Sequence, residues 1–210
     1  MSSPFDGPQP VLTATTERGE KIILRPAELR DADALVVACT DPESTRWTTV
    51  PLGYDHERAL GFINEYAPGW WERRAGGCWV IADASGAYAA QIDLRFLADP
   101  EVADVGFLSG PAARGRGYMT AALRAVAVYG LLELNLRRVE WKAYVGNDAS
   151  RRVAEKAGFT MEGLLRSGSS ARGVRHDTWI GSLLRDDLAG LGLDRPLAGG
   201  ANPAVEVAGR

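Results

Sequence analysis

Cysteine, histidine and lysine are all scarce in this sequence, and each scarcity narrows what the protein can be. Cys39 and Cys78 are its two cysteines, each in an apolar context, and they read as buried thiols of a cytoplasmic protein rather than as a disulfide framework or a metal site. The two histidines, His56 and His176, read as surface residues. No run reaches 18 apolar residues, and residues 1–19 lack a basic segment leading into an apolar core, so neither a membrane span nor an export signal is expected. An excess of one charge is missing too. Lys and Arg number 24 against 27 Asp and Glu, a net charge of -3, which provides no basic field for nucleic acid or for an acidic membrane surface. Lysine stands only at 21, 142 and 156, so the cations are nearly all arginine. With abundant alanine and glycine, that bias is what GC-rich coding would produce and is not taken as phosphate binding. What remains is ordinary globular usage, 46% hydrophobic and 24% charged over 210 residues, enough for one domain with a full core.

The chain divides into a flexible N-terminal arm (1–19), a single domain (20–184) and a Gly/Ala/Pro-rich tail (185–210). Residues 20–25 predict a strand stopped by Pro26, and Asp31 an N-cap for a helix through Thr40. Apolar residues Ala59, Leu60, Phe62, Ile63 and Tyr66 predict a second helix that Pro68-Gly69 must kink or end. Residues 78–82, 88–97 and 102–108 predict an antiparallel meander. A long helix follows, with Met119, Ala122, Leu123, Val126 and Ala127 on one face and Asn135 as its C-cap. Then come a strand (138–145), a short helix (147–157) and a hairpin (161–166 with 174–184). The strand–helix–strand crossover sets 105–108 parallel to 138–145. The fold class is α+β, a mixed and mainly antiparallel sheet of six to seven strands with flanking helices.

The stretch 104–122, D-V-G-F-L-S-G-P-A-A-R-G-R-G-Y-M-T-A-A, organises the rest. A strand runs into an Arg/Gly turn that opens a helix, so the amides of 115–120 point outward unpaired and form an anion cradle. There is no G-x-G-x-x-G after the strand and no Walker lysine, which sets aside dinucleotide and P-loop folds. A second block, N-D-A-S-R-R-V-A-E-K-A-G-F at 147–159, precedes E-G-L-L-R at 162–166. Together with the strand order, these blocks resemble the GNAT superfamily of acyl-CoA-dependent N-acyltransferases, and within it the ribosomal-protein alanine N-acetyltransferases, over 21–184. The family signature (Q/R)-x-x-G-x-(G/A) is met by Arg114 and Gly117, with Met119 as a departure at the last position.

That resemblance implies acetyl-CoA or another short acyl-CoA as co-substrate, no metal, and a splayed parallel strand pair that admits the pantetheine arm. It implies that Phe107, Leu108 and Ser109 pair with the arm. It gives the pyrophosphate to the amides of Gly115, Arg116, Gly117, Tyr118, Met119 and Thr120, and the 3′-phosphate to Arg114, Arg116 and Arg151. Asn147 binds the pantetheine or fixes the strand edge, and Ser150 sits near the thioester sulfur. Many relatives carry a tyrosine proton donor at the position held here by Ala154, which leaves Ser150 in that role. Asp104 and Asp93 are the carboxylate candidates for the base, with Glu140 third. Trp47 and Tyr54 are preferred for the acceptor pocket among Phe62, Trp70, Trp71 and Trp179. The expected function is acyl transfer to a primary amine, either a protein N-terminus or a small molecule. The alternative, a non-catalytic CoA-binding module, draws on Met119 and Ala154. Neither nucleic acid nor membrane is expected as a partner, and members of this family are often homodimers.

Overall fold

Alternating buried and exposed residues shape the chain into one sheet. The computed structural model describes residues 3–193. Its strands are β1 (Leu12–Thr15), β2 (Lys21–Arg25), β3 (Gly76–Ala82), β4 (Tyr88–Phe96), β5 (Val102–Ser109), β6 (Arg138–Tyr144), β7 (Thr160–Ala171) and β8 (Val174–Leu184). They lie in the order β1-β2-β3-β4-β5-β6-β8-β7, and every neighbouring pair is antiparallel except β5 with β6. Helices α1 (Ala32–Thr40), α2 (Pro42–Trp47), α3 (His56–Gly61) and α4 (Ala67–Glu72) connect β2 to β3. Helix α5 (Tyr118–Leu132) is the crossover between the parallel strands, α6 (Asp148–Ala157) leads from β6 to β7, and α7 (Asp187–Gly190) follows β8.

The core forms where α5 lies on the sheet. Leu123, Val126 and Leu131 of α5 pack with Ile92, Leu94, Val139 and Trp141 of the strands, all essentially without solvent exposure. Each such aliphatic side chain contributes about 1.5–3 kcal/mol on burial. A smaller cluster of Ala32, Leu35, Ala59 and Ile63 sits between α1 and α3. Cys39 and Cys78 are both buried and free. Among the described residues no helix is long and apolar enough to cross a membrane.

Several expectations need correction. The sheet has eight strands among the described residues rather than six or seven, because β1 lies inside the arm read as flexible. Only Leu12 of its four residues is buried, so the apolar pattern there is too thin to read. The arm upstream is pinned as well: Trp71 Nε1 donates to Gly7 O and Trp79 Nε1 to Pro10 O, both at 2.8 Å. Pro68 does not end the second helix. A π-helical turn, Phe62–Tyr66, carries the path into α4, with Ala67 N–H bonded to Phe62 O. The wider turn relieves the clash between a proline ring and the carbonyl of the preceding turn. Asp31 is the N-cap of α1, as expected, but its side chain makes no cap bond and grips Arg25 at 2.7 and 2.9 Å. Strand β7 extends to Ala171 through a Ser/Gly-rich segment because β8 supplies its pairing, interrupted by two register shifts. The tail begins with α7, whose Leu188 is buried; residues 194–210 lie outside the described residues.

Deleting residues 1–10 strips two buried indole N–H groups of their acceptors, a cost of about 1–3 kcal/mol each. The urea midpoint of the truncated chain should fall accordingly. An unchanged midpoint would mean that the arm is not part of the folded unit.

Candidate active site

Strand pairing opens the site. Strand β5 pairs with β4 along its length, from Phe96↔Ala103 to Ala90↔Ser109. With β6 it pairs only from Val102↔Arg138 to Val105↔Trp141. Beyond that point β6 stays with β8, as far as Tyr144↔Thr178. From Gly106 onward the two parallel strands therefore part, and residues 106–109 present an edge in the middle of the sheet. Backbone groups on such an edge need partners. At the far end of this edge comes the Arg/Gly turn. Gly115 and Gly117 have φ of 74° and 81°, a left-handed conformation that glycine adopts at little cost. Gly117 is the N-cap of α5 and offers no side chain, so the first-turn amides stay unpaired at the positive end of the helix dipole.

Edge and turn share one cleft of about 1290 Å³. Phe107, Leu108, Ser109, Arg114, Gly115, Arg116, Gly117, Tyr118, Met119, Thr120, Asn147, Ser150, Asp104, Trp47 and Tyr54 all line it. Phe62 lines it too; Trp70, Trp71 and Trp179 do not. Met119 is buried in the core, so the bulk at that signature position is taken up by packing. The arginines are partnered by carboxylates. Arg114 is bound to Asp41, and Arg116 lies 2.7 Å from Glu20 and stacks over Tyr118. Arg151 does not line the cleft; it is paired with Glu155 and lies over the Trp179 ring.

The sheet has two faces at the parting point. Ala103 and Val105 of β5, with Val139 and Trp141 of β6, face α5 and the core. On that face Trp141 Nε1 donates to Ser150 Oγ at 3.0 Å, while Asn147 caps α6 by accepting Ser150 N–H at 3.1 Å. Ser150 thus has a fixed acceptor role that leaves its own hydrogen free. Ala154, a turn further on, is fully buried and offers no hydroxyl.

Asp93, Arg95 and Asp104 occupy the opposite face. Arg95 Nε is 3.2 Å from Asp93 Oδ1 and 3.0 Å from Asp104 Oδ1. Asp93 pairs in register with Gly106, the first residue past the parting, and accepts its N–H at 3.1 Å. A Cβ at 106 would lie 2.9 Å from that carboxylate, so only glycine lets it come so close. Burial pushes the Asp93 carboxyl up to about 6 and the Asp104 charge adds to the rise, while Arg95 and the Gly106 N–H hold it down. Asp104 sits two register positions further back, engaged by both Nε and Nη2 of Arg95. Glu140 is outside the cleft, and Lys142 and Arg138 keep its carboxyl low against the effect of burial. Of three candidate bases, Asp93 is the one at the parting. The polar alternation of Gln91, Asp93 and Arg95 between buried Ala90, Ile92 and Leu94 is the sequence signal for this face. Arg95, Gly106 and Gln91 went unread because only the register brings them to the gap. Burial also lifts the thiol of Cys39, which lines the cleft, to about 11, which leaves it protonated and unreactive at neutral pH. His176 stacks on Tyr144 at 4.5 Å and His56 meets Asp33 at 3.1 Å; neither lines the cleft.

Residues 21–160 match the profile of the acetyltransferase (GNAT) domain. The uncharacterized N-acetyltransferase p20 of Bacillus licheniformis is 30% identical over 173 residues, 81% of this chain and 97% of p20. Among solved structures, the microcin C7 self-immunity acetyltransferase MccE, in complex with acetyl-CoA and AMP, has a TM-score of 0.70 at 21% identity over 78% of this chain and 92% of MccE. An acetyltransferase of Salmonella typhimurium that modifies the N-terminal serine of 50S ribosomal subunit protein L7/L12 has a TM-score of 0.68 at 20% identity, over 78% of this chain and 94% of that one. At these identities the two structures share the fold.

The Asp93 balance can be measured by carboxyl NMR. Arg95→Gln removes the cation that opposes the rise, so the Asp93 titration midpoint should move above its wild-type value near 6. A midpoint that falls would contradict this account of the site.

Proposed function

The chain belongs to the GNAT acetyltransferase family and is an acyl-CoA-dependent N-acetyltransferase; we propose that it acetylates a weakly basic primary amine, the α-amine of a polypeptide or a small molecule of similar basicity, with Asp93 as the base. The observation that carries this reading is the parting of β5 from β6 at Gly106, which has Asp93 on one face of the sheet and Ser150 on the other.

The residues fit acyl-CoA on three counts. The edge 106–109 is open to the amide groups of the pantetheine arm. Gln91 Oε1, buried without a partner in register with Leu108, is an acceptor waiting for a donor on the same arm. The uncapped amides of α5 suit the pyrophosphate. Because Arg114 and Arg116 are already neutralised by Asp41 and Glu20, those amides carry the anion recognition. Bound acyl-CoA supplies the activated acyl carbon.

Asp93 takes the acceptor's proton, directly or through one water. Its elevated pKa suits an α-amine near 8, about one-tenth neutral at pH 7, far better than a lysine near 10.4. The nitrogen lone pair then attacks the carbonyl carbon from the Asp93 face. The N–H of Ser109, which faces the gap where that of Leu108 faces β4, receives the developing oxyanion. When the C–S bond breaks, Ser150 Oγ–H donates to the departing sulfur, its lone pair being held by Trp141. Base and leaving-group donor act from opposite sides, so neither obstructs the other. The ribosomal-protein resemblance favours a polypeptide N-terminus, and the absence of a cysteine framework favours a cytoplasmic reaction.

Three measurements check this reading. Wild-type kcat/KM for the amine should rise with pH through a midpoint near 6, as Asp93 ionises. Asp93→Asn should cost about 100-fold and flatten that limb; a retained limb assigns the base elsewhere. Gly117→Asp places a negative charge in the cradle and should weaken CoA binding at least tenfold more than Gly117→Asn, which has the same shape without the charge. Equal affinities for the two variants would remove the pyrophosphate from this turn.

A further inference from the structure

The π-helical turn Phe62–Tyr66 is a costly backbone feature of the kind that concentrates at functional sites, and its aromatic residues are not part of the chemistry described above. Phe62 and Tyr66 stack with centroids 5.7 Å apart and planes 27° apart, and Tyr66 meets Trp70 edge-on at 6.0 Å. Phe62 and Tyr66 line the same cleft as Asp93, Arg95 and Asp104. Tyr66 is 50% exposed, an uncommonly open face for so large a ring inside a cleft. The acceptor side of the cleft therefore has an acidic floor, two carboxylates against one guanidinium, beside an open aromatic wall.

Resting on the acetyltransferase reading, we propose that this wall is an acceptor subsite and that the preferred acceptor is a primary amine with an aromatic ring two carbons from the nitrogen. The acidic floor attracts the ammonium group, and the Tyr66 face takes the ring in an offset or edge-on contact. An aliphatic amine of the same charge gains the first interaction and loses the second. Two sources carry this chemistry: a polypeptide that begins with an aromatic residue, and an arylethylamine. They differ in basicity, and only the first suits a base that titrates near 6.

The test uses the full-length protein with CoA bound. Calorimetry compares phenylalaninamide, alaninamide and phenethylamine, and thiol release from acetyl-CoA follows turnover with the same three amines. Phenylalaninamide should bind roughly tenfold more tightly than alaninamide. Tyr66→Ala should bring that ratio close to one and Tyr66→Phe should keep it, with melting temperature and CoA affinity as controls of folding. Turnover of phenylalaninamide above phenethylamine assigns the polypeptide source, and the reverse assigns the arylethylamine. Equal affinities for phenylalaninamide and alaninamide, or a ratio that survives Tyr66→Ala, overturn the subsite. Failure of the acetyltransferase reading looks different: no thiol release with any amine, whatever binds.

Discussion

The structure depends on where one ladder of the sheet stops. Strand β5 is paired with β4 over its whole length and β6 with β8, but the two parallel strands are paired with each other only as far as Val105 and Trp141. Past that register the sheet twists apart. Unpaired backbone in a protein interior is expensive, and a fold keeps it only if something else supplies the missing hydrogen bonds. The turn at Gly115 and Gly117 then aims unpaired helix amides along the same line. A ligand with peptide-like amides followed by a pyrophosphate satisfies both demands at once.

The parting also decides which side chains can act. Residues of β4 and β5 alternate between the core and the opposite face, so Asp93, Arg95 and Asp104 gather on one side while Trp141 and Ser150 meet on the other. Gly106 is where the arrangement closes, since its missing side chain lets the Asp93 carboxylate reach its N–H. Burial and the nearby Asp104 make Asp93 a stronger base than an exposed carboxylate, and Arg95 keeps it ionised at neutral pH. The same raised pKa has a cost in stability. The folded state binds this proton more readily than the unfolded chain, so the stabilisation linked to it is present below about pH 4 and lost as pH rises towards 6.

Much of this was legible in the sequence. Glycines at 115 and 117 and Asn147 before α6 are local signals with local causes, and the helices they open lie close to where they are expected. Every proposed donor-site residue except Arg151 lines the cleft. What could not be read depends on register. Asp93, Asp104 and Glu140 are equivalent as carboxylates in strands, and only the pairing of Asp93 with Gly106, past the end of the β5–β6 ladder, separates them. The orientation of Arg151, paired with Glu155 and lying over the Trp179 ring, is likewise a matter of packing that its position in the sequence does not show. Strand β1 was missed because one buried leucine makes no pattern, and Pro68 announced a break that the π turn absorbs.

The central claim is that the open edge of β5 is the donor site. Hydrogen exchange of the backbone amides, with and without CoA, tests it directly. CoA should slow exchange at Phe107 and Ser109, whose N–H groups face the gap, and at 115–120, while leaving 102–105, already paired with β4 and β6, unchanged. Protection confined to other strands, or no change at Phe107 and Ser109 on saturation with CoA, would contradict it.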